Sequence, residues 1–211
     1  MGIKERHERE RGEIRDKILD AARELFINEG YEGVSMRQIA DKIEYSPTAI
    51  YVHFKDKDEL FLEICHLDFR LLAQSMVSLA QVADPVERLR KIGLAYIEFG
   101  LNNPNHYRRM FMTPHLPVPK GAEELMGKGN PEEDAYELLR ATVGDALKAG
   151  AFREHLKDTD LIAQTLWAGV HGVASLQIAK CNDGWVPWRS VKKRSETMID
   201  GLLQGLLKRE R

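Results

Sequence analysis

Residues 35–57 carry two helix starts in close succession, and this confines the chain to a narrow choice of folds. Ser35 has the chemistry of an N-cap, and Ile39, Ala40 and Ile43 follow at the spacing of one apolar helix face. A first helix is therefore predicted over Met36–Lys42. Pro47 has no backbone N–H and a fixed φ, which suits the first position of a new helix with Ser46 as its cap. Ile50 and Phe54 then share a buried face at i, i+4, leaving Thr48, Tyr51 and Val52 on the outside. So tight a turn permits only a roughly perpendicular helix pair, the geometry that sets one helix into a DNA groove. The outward set is hydroxyl-bearing and apolar, not charged.

The rest of the chain also reads with a helical period, and no run of alternating β-branched residues suggests a sheet. An all-α fold is expected. Residues 12–28 place Ile14, Ile18, Ala21, Ala22, Leu25 and Phe26 on one stripe, with Asn28-Glu29-Gly30 as a stop. A long pattern runs from about Asp58 to Val82, and either Asp56 or Asp58 can cap it. Asp84-Pro85 opens a helix that ends at Asn102-Asn103-Pro104; Asn105 to Met112 is a short aromatic and methionine-rich stretch. Residues 113–131 read as a Pro/Gly-rich loop, and helices follow over 132–148, 158–180 and 190–207. The expected organisation is a three-helix DNA-binding unit over residues 1–57 and a larger helical domain over 58–211.

Composition bounds the function classes. With 211 residues, 43% hydrophobic and 30% charged, the chain is long enough for a substantial core. No segment approaches a membrane span or a signal core, so a cytoplasmic location is expected. Cys65 and Cys181 lie far apart with no C-x-x-C spacing, and both read as apolar fillers. The net charge is −2, and residues 1–57 hold 11 Lys or Arg against 12 Asp or Glu. Attraction to phosphate must then come from local placement: Arg37, Lys55 and Lys57 near the docking surface, Asp20, Glu24, Glu29 and Glu32 away from it.

The N-terminal 60 or so residues resemble the DNA-binding domain of the TetR family of bacterial transcriptional regulators. The shared pattern is the capped helix at Ser35, the turn ending in Tyr45-Ser46, and Ile50-Tyr51-Val52-His53-Phe54 followed by Lys57. Trp167-Ala168-Gly169-Val170-His171-Gly172 resembles the Trp-x-x-x-His-Gly signature of one group of TetR-type C-terminal domains. One position departs from the pattern. The turn residue commonly Gly in the family is Glu44, which resists positive φ, so an adjusted or strained turn is expected.

The resemblance implies a role for each matching position. Arg37 resembles a residue that reaches a base edge, where Arg binds the O6 and N7 of guanine together. Thr48 and Val52 are placed to meet thymine methyl groups or phosphates, and Ala49 leaves room for close approach. Ser35, Ser46, Tyr51, His53 and Lys57 resemble phosphate contacts. Taken alone, Tyr51 reads equally as packing between helices and His53 as a solvated surface residue; the joint pattern favours contact.

A pair of this kind reads one short half-site, so a homodimer on double-stranded operator DNA is implied, with recognition helices about 34 Å apart. Residues 158–180 are too apolar for a solvent-facing helix, and 190–207 add a Leu, Ile and Met face; together they are the candidate dimer interface. Tyr96, Phe99, Tyr107, Met110, Phe111, Trp167 and His171 are the candidate lining of a small-molecule effector pocket, with loop 113–131 over its mouth. No protein-bound cofactor is expected; the effector's identity is left open. No H-E-x-x-H, phosphate loop or nucleophile elbow is present, so an enzyme is not expected. A metal sensor using Cys65-His66 or His115 with Cys181, and a helical interaction protein without DNA binding, are the rival readings.

Overall fold

A computed structural model describes residues 2–112, 127–182 and 184–208. The described residues are helical throughout except for turns and one isolated antiparallel bridge, Phe152 to Leu207. The helices are α1 (Ile3–Gly33), α2 (Met36–Lys42), α3 (Pro47–Tyr51), α4 (Lys57–Gln74), α5 (Pro85–Asn102), α6 (Pro104–Phe111), α7 (Ala135–Lys148), α8 (Thr159–Ala179) and α9 (Val191–Leu206). A 3-10 turn over Val77–Gln81 follows α4. The chain divides into two compact units, Met1–Asp68 with Asn105–Val118, and Phe69–Pro104 with Pro119–Arg211.

Several boundaries follow from side-chain caps, those at Ser35, Ser46 and Asp84 legible in the sequence and that at Asp158 seen in the structure. Ser35 accepts from the Gln38 N–H, Ser46 from the Ala49 N–H, Asp84 from the Val86 N–H and Asp158 from the Asp160 and Leu161 N–H groups. Asp56, not Asp58, caps α4 by accepting from the Glu59 N–H at 2.8 Å. Three elements differ from expectation, of which α7 starts at Ala135, behind an Asp134 cap, instead of at residue 132. The helix α1 begins at Ile3, well before residue 12, because its first turns are held by ion pairs and have no apolar stripe to reveal them: Arg6 meets Glu10 at 2.8 Å and Arg9 meets Glu13 at 3.6 Å. Gly30, at φ 73°, breaks it where a stop was expected. The helix α4 ends at Gln74, where the Ser75 hydroxyl donates to the Leu72 carbonyl, and the chain tightens into the 3-10 turn. Residues 113–126 of the expected pocket loop lie outside the described residues.

In the first unit Ile18, Ala22, Phe26, Ile39, Ala40, Ile50, Phe54, Leu60 and Ile64 are buried. They pin α1, α2, α3 and the start of α4 together. In the second unit α5 packs on α7, α8 and α9, burying Ile92, Tyr96, Phe99, Val143, Ile162, Leu166, Val170 and Ile199.

Candidate nucleic-acid interface

The turn between α2 and α3 decides how the second helix is presented. The Tyr45 N–H donates to the Ala40 carbonyl at 3.0 Å and the Glu44 N–H to the Asp41 carbonyl at 3.2 Å, the paired bonds of a Schellman cap. Such a cap needs a left-handed residue, and Glu44 supplies it at φ 61°. The turn is therefore not adjusted; the strain falls on Glu44, at a cost of roughly 1–2 kcal/mol against an unstrained residue.

Ser46 starts α3 directly after this turn, so Ile50 and Phe54 point into the core and Thr48, Tyr51 and Val52 stand exposed, as the spacing required. Tyr51 is 54% and Val52 62% exposed, two neighbouring apolar side chains on a short helix turned to solvent. Arg37 lies on the adjoining helix with its side chain 83% exposed and a loose ion pair, 3.9 Å to Asp41. Ser35 and Ser46 are exposed but their hydroxyls are engaged as caps; Ala49 is half-buried. The helix pair thus offers one long flexible cation beside a compact, uncharged face.

Of the four acids expected to lie away from the docking surface, Glu29 instead reaches α2, where it accepts from Gln38 Nε2 at 3.1 Å. Asp20 is paired with Arg23 at 2.6 Å and Glu24 with Lys42 at 3.0 Å. His53 is half-buried, and its imidazole is held below the ordinary value by burial first and then by the charges of Arg11 and Arg15. Arg15 lies 5.0 Å over the Phe54 ring and pairs with Glu63 at 2.7 Å. Arg11 and Arg15, one turn apart on α1, therefore bring positive charge to the His53 side of the helix pair. Sequence reasoning missed both, Arg11 because α1 was expected to start at residue 12 and Arg15 because only the apolar stripe of residues 12–28 was read; the charged i, i+4 pattern of residues 3–17 was the available signal. Lys57 is half-buried, with its ammonium donating to the carbonyls of Tyr31 and Val34 at 2.8 and 2.9 Å.

A second feature missed in the sequence lies in the same unit. Asp68 and Arg109 are both 1% exposed and meet at 2.6 Å through Arg109 Nε. Asp68 also accepts from Arg23 Nη2 at 3.0 Å and pairs with His106 Nδ1 at 2.9 Å, while Arg109 Nη1 donates to Cys65 Sγ at 2.9 Å. Burial works to raise the Asp68 carboxyl, but the His106 hydrogen bond and the Arg109 and Arg23 charges outweigh it and hold the group below the usual carboxylate range. The signal was present: Asp68 interrupts the apolar row Ile64, Asp68, Leu72, and an acid on a buried face demands a buried cation.

The residues expected to line an effector pocket fall in both units. Tyr107 and Met110 are fully buried in the first unit, where the Tyr107 ring lies 5.0 Å from that of half-buried Phe111. In the second unit Trp167 Nε1 donates to the Tyr96 hydroxyl oxygen at 3.0 Å, and that hydroxyl is 3.3 Å from His171 Nδ1. Phe99 is buried in the same unit, and burial lowers the pKa of the His171 imidazole. Among the described residues no group of three or more His, Cys, Asp or Glu side chains is placed to hold a metal ion, and no helix is long and apolar enough to cross a membrane.

The chain is similar to known proteins in two segments. Residues 18–64 match the family of bacterial regulatory proteins named for tetR, and residues 89–202 match the tetracyclin repressor-like C-terminal domain. The chain belongs to the TetR family. Members of this family are transcriptional regulators, not enzymes. The chain is 32% identical over 117 residues to the HTH-type transcriptional activator FasR of Mycolicibacterium smegmatis, covering 54% of this chain and 53% of that protein. It is 40% identical over 58 residues to the HTH-type transcriptional repressor AcnR of Corynebacterium jeikeium, covering 28% and 31%. The chain thus spans about half the length, or less, of these curated relatives. Among solved structures it resembles the TetR family transcriptional regulator PfmR from Thermus thermophilus, with a TM-score of 0.69 at 26% identity over 93% of this chain and 98% of that one.

Proposed function

We propose that the chain is a cytoplasmic homodimeric repressor that binds a palindromic operator through α2 and α3 and leaves it when a small molecule binds the second unit. The observation that carries this reading is the exposed, uncharged face of Thr48, Tyr51 and Val52 beside the extended Arg37. Arg37 reads a base edge; Ser35, Ser46, Tyr51 and His53 hold phosphates and fix the register; Thr48, Ala49 and Val52 sit close against the groove.

Dimerisation through α8 and α9 is supported by what those helices leave outside. Leu161 is 57% and Leu176 45% exposed on α8. Thr197, Gly201 and Gly205, at i, i+4, i+8, give α9 a thin exposed stripe that a second helix can approach closely. The effector site of this reading is the group of Tyr96, Trp167 and His171, with Phe99 buried in the same unit. The membership of the Trp-x-x-x-His-Gly group belongs to the same proposal: Trp167 and His171, one turn apart, meet on a single hydroxyl. A ligand acts there only if it binds the DNA-free conformation more tightly than the DNA-bound one.

The test is an anisotropy titration of the full chain against the region upstream of its own gene, with sedimentation to count protomers. Two protomers per palindromic site are expected. Absence of any specific complex, with or without candidate effectors, removes the reading; a specific complex of one protomer removes the dimer.

A further inference from the structure

We infer that Lys57 positions the start of α2 and is not a phosphate ligand, an inference that rests on the DNA-binding reading of α2 and α3. Lys57 breaks a local rule. It is the first residue of α4, where the helix dipole disfavours a cation. Its ammonium turns instead to a helix end of the opposite sign. Nζ donates to the Tyr31 carbonyl at 2.8 Å and the Val34 carbonyl at 2.9 Å, and lies 4.0 Å from the centroid of the Tyr31 ring. Both carbonyls stand at the C-terminal end of α1, beyond the break at Gly30, where a helix has carbonyls to spare, and that of Tyr31 also accepts from the Val34 N–H at 3.4 Å.

The geometry reaches α2 in one step. Ser35 follows Val34 directly, caps α2 through the Gln38 N–H, and stands two residues before Arg37. Tyr31 is itself fixed, with its hydroxyl bonded to Asp58 and its ring against Phe26 at 5.7 Å and Phe61 at 5.1 Å. Lys57 and Asp58, neighbours at the start of α4, therefore grip the same residue from its carbonyl and its hydroxyl. Two carbonyls and an aromatic face surround an ammonium that has three N–H groups in all. The resemblance assigned Lys57 to phosphate; its contacts assign it to the end of α1.

The two roles differ in salt dependence. A lysine that neutralises one phosphate releases counterion, so its loss lowers the log–log salt slope by about 0.9 and weakens all sequences alike. A positioning residue leaves the number of phosphate contacts unchanged and weakens the specific site alone. The experiment compares the full chain with Lys57→Gln and Lys57→Arg on the operator and on a scrambled duplex across a salt series. Amide exchange over residues 35–38 is followed without DNA. The expected result for Lys57→Gln is an operator affinity lower by about tenfold, scrambled-duplex affinity and slope unchanged, and faster exchange at residues 35–38. Lys57→Arg keeps the charge but replaces a compact ammonium with a planar fork, so it loses operator affinity too.

A slope lower by about one with both duplexes weakened equally overturns the inference. So does Lys57→Arg binding as tightly as the parent chain, or exchange at residues 35–38 left unchanged. Should Lys57→Gln lose its helical circular dichroism, Lys57→Arg decides alone by the same criteria. A parent chain that does not distinguish operator from scrambled duplex contradicts the DNA-binding reading, and the exchange measurement then still decides the role of Lys57.

Discussion

In the first unit an acid is buried among the packed helices: Asp68, gripped by Arg23, His106 and Arg109 from α1 and α6. In the second unit the centre is apolar, with Ile92, Val170 and Ile199 from α5, α8 and α9 buried around Gly93, and a pair such as Arg90 with Asp200 only part-buried. Charged hydrogen bonds are directional and fail abruptly when a partner is lost, whereas apolar contacts are numerous and yield by degrees. The first unit thus adds a buried directional network to the apolar side chains that hold its helix pair.

The sharpest way to break this contrast is to remove Asp68. Asp68→Ala leaves Arg109 and Arg23 without their shared carboxylate and should cost about 3–5 kcal/mol in urea unfolding at neutral pH. Because the Asp68 carboxyl is held below its ordinary value, its contribution is present above the unfolded value near 3.9 and is lost as pH falls through the depressed one. The difference between parent and Asp68→Asn should therefore shrink on acidification.

A milder effect is expected in the apolar unit. A Cβ on Gly169 would stand 2.4 Å from Leu202 Cδ1 and 2.8 Å from Met198 Sδ, yet both are ends of flexible side chains. Gly169→Ala should cost about 1 kcal/mol, the low end for overpacking, and a value near that of Asp68→Ala would end the contrast. Glu44→Gly works in the other direction. It removes left-handed strain at φ 61° and, after the entropy of glycine, should stabilise by about 0.5–1 kcal/mol, read as a higher midpoint. The smallest effect concerns His53. Its imidazole is held low in the free protein by burial and by Arg11 and Arg15, and a phosphate would raise it, so operator affinity should increase roughly a few-fold as pH drops below 6.5. His53→Asn should flatten that dependence.

What the sequence disclosed follows the range of the interactions. Ser35, Ser46, Asp84 and Asp158 act within three residues of themselves, and the helices they cap begin where the spacing placed them. The exposed face of α3 followed from the same local rules. The start of α1 was missed because charge pairs, not an apolar stripe, hold residues 3–17. Asp68 itself stood out on an apolar row, but its arginines are 45 and 41 residues away, and no spacing rule identifies partners that far. The carbonyl partners of Lys57 escaped notice for the same reason, since they lie 26 and 23 residues upstream.

The central claim is that Arg37, held out from α2, reads a base while its neighbours hold the backbone. It is tested most directly by replacing operator guanines one at a time with 7-deazaguanine, which lacks the N7 acceptor, and titrating the parent chain and Arg37→Ala. The parent should lose about 1–3 kcal/mol at one guanine in each half-site, and Arg37→Ala should be indifferent to that replacement. Equal losses for both proteins at every guanine would contradict the assignment.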